Sequence, residues 1–189
     1  MPIVYLRMKP YLKEFILGMK TADGVSIYGK EPIHIPQKDR LGFMIERFRR
    51  KPHEGKSPAR PQTAEDRKRY LMVEIDANPL VANDDKRLFI SDDNMVRIGT
   101  YIYNLFCSFA FDYVREHLIW QEKELPNSRP YKTMAYRAFI EDYELFSADE
   151  DSIRKAIDRD SRTLPFDLSG KKKDKKKFRF QPKNLPFQT

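Results

Sequence analysis

The chain has 189 residues, of which 40% are hydrophobic, 13% aromatic and 34% charged. This composition is too apolar and too aromatic for a disordered chain, and the length suits one domain with its own core. The formal net charge is +8, but residues 169–189 hold eight Lys and Arg against one Asp. The charge therefore indicates not a basic globule but a nearly neutral domain, 1–168, followed by a flexible basic tail, 169–189.

Hydrophobic periodicity and turn residues predict an α+β domain, with a small antiparallel sheet packed on a helix-rich core. The strongest strand is 69–76, and we expect 86–90 to return as its partner. Ser91 followed by Asp92 and Asp93 predicts the start of a long central helix that runs to about residue 124. The other expected elements, in chain order, are a strand over 3–9, a helix from Pro10, a β-hairpin of 25–27 and 33–35, a helix over 38–50, a Pro-rich loop at 51–62, and a C-terminal helical hairpin over 131–145 and 147–162.

The C-terminal helical hairpin has the outline of a helix-turn-helix. In a DNA-binding motif of that kind, the first residues of the second helix face base edges. Here those residues are Ala148, Asp149, Glu150 and Asp151, which DNA would repel. Ser147 with Glu150 three positions later predicts a capping box. We therefore expect a plain helical hairpin that closes the core, with Arg154, Lys155, Arg159 and Arg162 available to phosphate.

The first strand invites comparison with ribbon-helix-helix regulators. Tyr5, Arg7 and Lys9 are two positions apart, so they share one strand face from which they could read DNA. The predicted hairpin between Gly24 and Pro36 interrupts that topology, in which the second helix follows the first almost directly. The comparison is therefore the weaker interpretation of this segment.

The basic tail is the most specific functional signal in the sequence. Clustered lysines gain affinity for phosphate polymers by releasing condensed counterions, and Phe178 and Phe180 beside Arg179 could stack on unpaired bases. A tail that orders on an acidic protein or an anionic lipid surface is the alternative. The candidate nucleic-acid-binding residues of the tail are Lys171, Lys172, Lys173, Lys175, Lys176, Lys177 and Arg179.

A second basic stretch lies between 38 and 70, with 11 Lys and Arg against 5 Asp and Glu. If the loop at 51–62 folds back, its two clusters form one patch near the start of the strongest strand. The alternative is that cations at the end of a helix only satisfy its dipole. The candidate residues of this stretch are Arg47, Arg49, Arg50, Arg67, Lys68 and Arg69.

Catalysis has little support in the sequence. Glu74 and Asp76 share one strand face and, with Asp92 or Asp93, could hold a divalent metal for phosphodiester cleavage. The three histidines are isolated, and the seven glycines form no phosphate-binding loop. We therefore expect a non-enzymatic protein without a metal or a cofactor, and keep a metal-dependent nuclease as a minor alternative.

The compartment is predicted from what the chain lacks. A single cysteine, Cys107, rules out an intrachain disulfide and a four-cysteine zinc site. The N-terminus has no signal-peptide pattern, and the uncharged apolar stretch 98–111 is shorter than the ~20 residues that span a bilayer. We therefore expect a cytoplasmic protein without a membrane partner.

Two short stretches resemble small proteins encoded by bacterial phages and integrated mobile elements. They are YLRMKPYLKEF at 5–15 and YRAFIEDY at 136–143. Those proteins are presumed to bind DNA, so the resemblance implies a nucleic-acid-binding regulator or replication accessory with DNA as its partner. The alternative is a structural or adaptor protein, such as a virion or assembly component. In that case the tail orders on a partner, and the long aromatic helix forms a homo-oligomer interface.

Overall fold

The structure, a computed structural model, describes residues 2–21, 23–52, 57–58, 60–76, 86–124 and 131–159. The basic tail and part of the Pro-rich loop lie outside these ranges. Within them the chain has an α+β fold dominated by one long helix. The elements are, in chain order, β1 (Ile3–Arg7), α1 (Pro10–Gly18), β2 (Ile33–His34), α2 (Arg40–Phe48), α3 (Ala64–Arg67), β3 (Tyr70–Glu74), α4 (Asp92–Glu124), α5 (Lys132–Asp142) and α6 (Glu150–Arg159).

The sheet has the order β1-β3-β2 and is mixed rather than fully antiparallel. β1 pairs antiparallel with β3, with Ile3 opposite Glu74, whereas β2 pairs parallel with β3. β2 is only two residues long, and the Glu31 carboxylate extends its edge by accepting a hydrogen bond from the Met72 amide at 2.8 Å. β3 is thus held on both sides, which explains why its alternating apolar residues are the clearest strand signal in the chain.

The β-hairpin predicted for 25–27 and 33–35 is wrong. Ser26 pairs with Lys20 instead, and Ile33 lies in the sheet opposite Val73. Burial separates the two segments: Ile33 is fully buried in the sheet, whereas Val25 is 63% exposed and Ile27, whose amide donates to the Met19 carbonyl, is only partly buried.

Two further predictions are corrected by backbone contacts. The segment 86–90 does not return to β3, because Phe89 exchanges two backbone hydrogen bonds with Arg50, at 2.8 and 3.0 Å. The capping box is also wrong. Asp149 caps α6 by accepting from the Ser152 amide at 2.8 Å, whereas Ser147 binds the carboxylate of Glu14 on α1.

The long central helix predicted from Ser91 is confirmed as α4. It has 33 residues, which is about 50 Å at 1.5 Å per residue. Its aromatic stripe is buried in the core, where the ring of Phe106 lies 5.3 Å from Phe15 of α1 and 5.8 Å from Phe139 of α5. Helices α2, α5 and α6 also contact α4. In the described ranges no helix is long and apolar enough to cross a bilayer.

Candidate nucleic-acid interface

A groove of about 520 Å³ lies where β1 ends, α1 begins, α4 begins and α6 ends. We call it the cationic groove because Arg7, Lys9 and Arg159 line it against one carboxylate, Asp92. All three cations are exposed. The apolar part of its surface comes from Met8, Leu12, Met95 and Val96. Cations beside an apolar surface can bind a ligand that carries both phosphate and a ring.

Backbone contacts hold β1 in position beside the groove. The Arg7 amide donates to the sulfur of Met95 on α4 at 3.3 Å, and the Met8 amide donates to the carbonyl of Arg69 at 2.8 Å. Pro10 then starts α1 at its first position, where its missing amide proton costs nothing. Met8 is buried while Arg7 and Lys9 are exposed, as expected for residues that alternate in extended chain.

Arg159 reaches the groove from the last residue of α6. Its Nη1 donates to the Tyr103 hydroxyl at 3.0 Å, and its guanidinium carbon lies 5.4 Å from the centre of that ring. Burial raises the pKa of Tyr103 above its usual value, so the hydroxyl stays protonated at neutral pH. Lys9 is placed in a similar way, with Nζ 5.7 Å from the ring centre of Tyr11. Contact with a ring orients each cation without neutralising it.

The groove cations differ from the other cations near Arg159 on α6 in what they contact. Within the described ranges, no carboxylate lies at ion-pair distance from Arg7, Lys9 or Arg159. On α6, by contrast, Arg154 and Lys155 both pair with Asp151. The charge at the groove is therefore available to an anionic ligand.

Three of the predicted residues are exposed where α3 leads into β3. They are Arg67, the last residue of α3, and Lys68 and Arg69 in the turn that follows. Lys68 pairs with Glu65 at 2.9 Å. The backbone carbonyl of Arg69 accepts from the Met8 amide at 2.8 Å, which joins this turn to a residue that lines the cationic groove.

The other cluster, at the end of α2, has different neighbours. Arg47 and Arg50 are exposed, and the backbone of Arg50 pairs with Phe89. Arg49 has no exposed surface and forms an ion pair with Glu46. Arg49 therefore offers no atom to a phosphate.

The predicted tail residues, Lys171–Lys173, Lys175–Lys177 and Arg179, lie outside the described residues. Their position in the sequence still relates them to the groove. Lys171 follows Arg159 by 12 positions. A fully extended chain of that length reaches at most about 40 Å. Arg159, the last described residue before the tail, lines the cationic groove.

The carboxylates considered for a metal site do not meet. Asp76 lies 3.7 Å from His34, and both side chains are about half exposed. Glu74 lies opposite Ile3, whereas Asp92 lines the groove beside Arg7 at the other end of β1. Among the described residues, no group of three His, Cys, Asp or Glu is arranged to hold a metal ion.

The groove brings together residues that the sequence had indicated separately. Arg7 and Lys9 share one strand face and were expected there as possible DNA-reading residues, and Arg159 was expected to be available to phosphate. Tyr103 carried no signal, because its contact with Arg159 joins residues 56 positions apart. Gly99 also lines the groove from the second turn of α4.

Comparison of the chain with family models, with curated proteins and with solved structures gives no match. The geometry of the groove and the charge of the tail are therefore the basis for assigning a function.

Proposed function

We propose that this protein is a non-enzymatic nucleic-acid-binding protein, with DNA as the first expected partner. The cationic groove and the basic tail are its two contact regions. The observation that carries the proposal is that Arg7, Lys9 and Arg159 meet at one groove without a carboxylate partner among the described residues. A role as a regulator or replication accessory of a phage or mobile element belongs to the same proposal.

The two regions contribute in different ways. Lysines in the tail supply affinity through counterion release, which requires no fixed geometry and reads no sequence. The groove adds cations held by aromatic rings, as Arg159 is by Tyr103, and such cations fix the position of a phosphate. Because Arg159 ends α6, one strand can contact both regions at once.

The test is fluorescence anisotropy of labelled DNA titrated with the full chain over a series of salt concentrations. Arg7→Gln with Lys9→Gln removes two groove cations, and the matched control, Arg154→Gln with Lys155→Gln, removes two that pair with Asp151. We expect the groove variant to flatten the slope of log affinity against log salt by about 1.4 on single strands and about 1.8 on duplex. The control should change the slope by less than half of that.

In a third variant the six lysines of 171–177 are changed to Gln in the full chain. The loss of DNA affinity in this variant measures how much of the affinity the tail supplies. Binding that is lost in this variant and unchanged in the groove variant would remove the groove from the proposal. Absence of binding at low salt in the unaltered chain would overturn the proposal as a whole.

A structural or adaptor protein is the second candidate, and one observation favours it. The aromatic stripe of α4 is covered by α1 and α5, but Trp120 near the end of α4 is 48% exposed. Tyr131 and Met134, at the start of α5, are 64% and 45% exposed. The Tyr131 amide binds the side chain of Gln121 at 2.7 Å, so these residues lie close to Trp120. A mass that rises with concentration and falls to the monomer in Trp120→Ser would support this candidate.

A further inference from the structure

We propose that the cationic groove admits an unpaired nucleotide, and that Gly99 is the residue that makes room for it. This inference rests on the proposed function and narrows the ligand to single-stranded nucleic acid. The base or sugar lies over Gly99 while the adjoining phosphates reach Arg7, Lys9 and Arg159.

Neither the backbone nor the packing of the domain requires a glycine at 99. Among the glycines in the described part of the chain, Gly24 and Gly29 have positive φ values of 77° and 72°. Gly18 and Gly42 are approached by a backbone carbonyl at 2.6 and 2.1 Å from the Cβ that they would carry. Gly99 has neither constraint: a Cβ there would meet no atom within 4 Å.

A glycine in a helix interior destabilises the helix relative to alanine. Gly99 is in the second turn of α4, well inside its 33 residues. The open space beside it is the groove itself. A close approach by a ligand therefore accounts for a residue that neither the backbone conformation nor the packing of the domain explains.

The apolar surface of the groove favours an unpaired base over a duplex. Val96, three positions from Gly99, is 68% exposed and lines the groove together with Met95. In a duplex the apolar faces of the bases are stacked inside, and phosphates and base edges face outward. An apolar surface gains little from such a ligand. An unpaired base exposes its faces and can bury one of them here.

The guanidinium of Arg159 lies over the ring of Tyr103 at the groove. A guanidinium plane stacks on a base as well as binding phosphate. Arg159 therefore adds a flat cationic surface near Gly99. A volume of about 520 Å³ is also within the ~300–1,000 Å³ usual for small-ligand sites.

The test compares a labelled oligothymidylate with a labelled A·T duplex, both titrated with the full chain at one low salt concentration. Gly99→Leu fills the groove, and Asn104→Leu, an exposed position of α4 outside the groove, adds the same side chain as a matched control. We expect Gly99→Leu to lower single-strand affinity about tenfold, or ~1.4 kcal/mol, and to leave duplex affinity unchanged. Asn104→Leu should change neither. Gly99→Ala, with a smaller loss, serves if the leucine variant fails to fold.

The outcomes separate this inference from the proposed function. Unchanged single-strand affinity in a folded Gly99→Leu overturns the inference, as does equal affinity of the unaltered chain for both ligands. If Arg7→Gln with Lys9→Gln still weakens binding in those cases, the proposed function stands. If the unaltered chain binds neither ligand, both fall.

Discussion

The guanidinium of Arg49 and the carboxylate of Glu46 form a two-point ion pair at the end of α2. Nε of Arg49 donates to Oε2 and Nη2 donates to Oε1, each at 2.7 Å. Arg49 is fully buried, and Glu46 is 27% exposed. The backbone carbonyl of Arg49 also accepts a hydrogen bond from the side chain of Arg87 at 3.1 Å. Arg49 thus joins α2 to the segment that leads into α4, a structural role in place of the predicted contact with phosphate.

Removing the carboxylate should destabilise the domain. We expect Glu46→Ala to lower the free energy of unfolding by about 3 kcal/mol, because it removes both carboxylate hydrogen bonds made by a buried guanidinium. Glu65→Ala is the control, since it removes the exposed pair with Lys68 and should cost less than about 1 kcal/mol. Urea denaturation measures both, and equal losses would contradict a special role for the buried pair.

The two helical glycines Gly42 and Gly99 should respond to alanine in opposite directions. At Gly99 the methyl group meets no atom, so the helix gains up to about 1 kcal/mol. At Gly42 it would lie 2.1 Å from the carbonyl oxygen of Pro36, which should cost about 1–3 kcal/mol through overpacking. Thermal and urea unfolding of the two variants check the signs. Destabilisation by Gly99→Ala would show that the groove is closed in the folded chain.

Glu31 should hold the edge of β3. Its Oε2 lies 2.6 Å from Nζ of Lys13, and its Oε1 accepts from the Met72 amide at 2.8 Å. We expect Glu31→Ala to cost about 2 kcal/mol, since it leaves the partly buried Met72 amide without an acceptor and removes the carboxylate from Lys13, whose Nζ keeps its hydrogen bonds to the carbonyls of Arg67 and Tyr70. Glu31→Gln keeps an acceptor for the amide and should cost less. Hydrogen exchange of the Met72 amide is the direct measurement, and equal rates in the two variants would argue against the contact.

Stability should fall at alkaline pH through Tyr11. Burial, reinforced by Tyr103 and Cys107, raises the pKa of Tyr11 to about 12. The folded state therefore holds the phenol proton more tightly than the unfolded chain, in which the pKa is about 10. This contribution is complete below pH ~10 and is lost as the pH rises from about 10 to about 12.

Urea unfolding over this pH range checks the effect of Tyr11. Tyr11→Phe should reduce the alkaline loss without abolishing it, because burial also raises the pKa of Tyr28 and Tyr113. An identical pH dependence in the variant and the unaltered chain would show that Tyr11 titrates normally in the folded state.

The helices could be predicted because their signals are local. Ser91, Asp92 and Asp93 mark the start of α4, and its apolar residues repeat at helical spacing through 33 residues. β2 could not be predicted as a parallel strand, since two residues carry no periodicity and their partner lies 40 positions away. Pairing of Phe89 with Arg50 was hidden for the same reason.

The candidate site was predictable only in part. Composition alone does not distinguish Arg49 from Arg47 and Arg50. Arg49, however, follows Leu41 and Ile45 at intervals of four residues, and these two residues belong to the buried face of α2. That spacing could have identified it as an interior residue. The groove could not be found in this way, because it combines residues from β1, α4 and α6, and only the folded chain places them together.

The contact between Glu14 and Ser147 has a consequence for how the protein is made. Both the amide and the hydroxyl of Ser147 donate to this carboxylate, at 2.8 and 2.5 Å, across 133 positions of the chain. At about 5–20 residues per second, a ribosome needs roughly 7–27 s to travel from one residue to the other. During that time Glu14 on α1 lacks its hydrogen bonds to Ser147. Phe15 likewise lacks its ring contact with Tyr143, which has not yet been synthesised. Completion of the domain is therefore timed by synthesis of its last two helices.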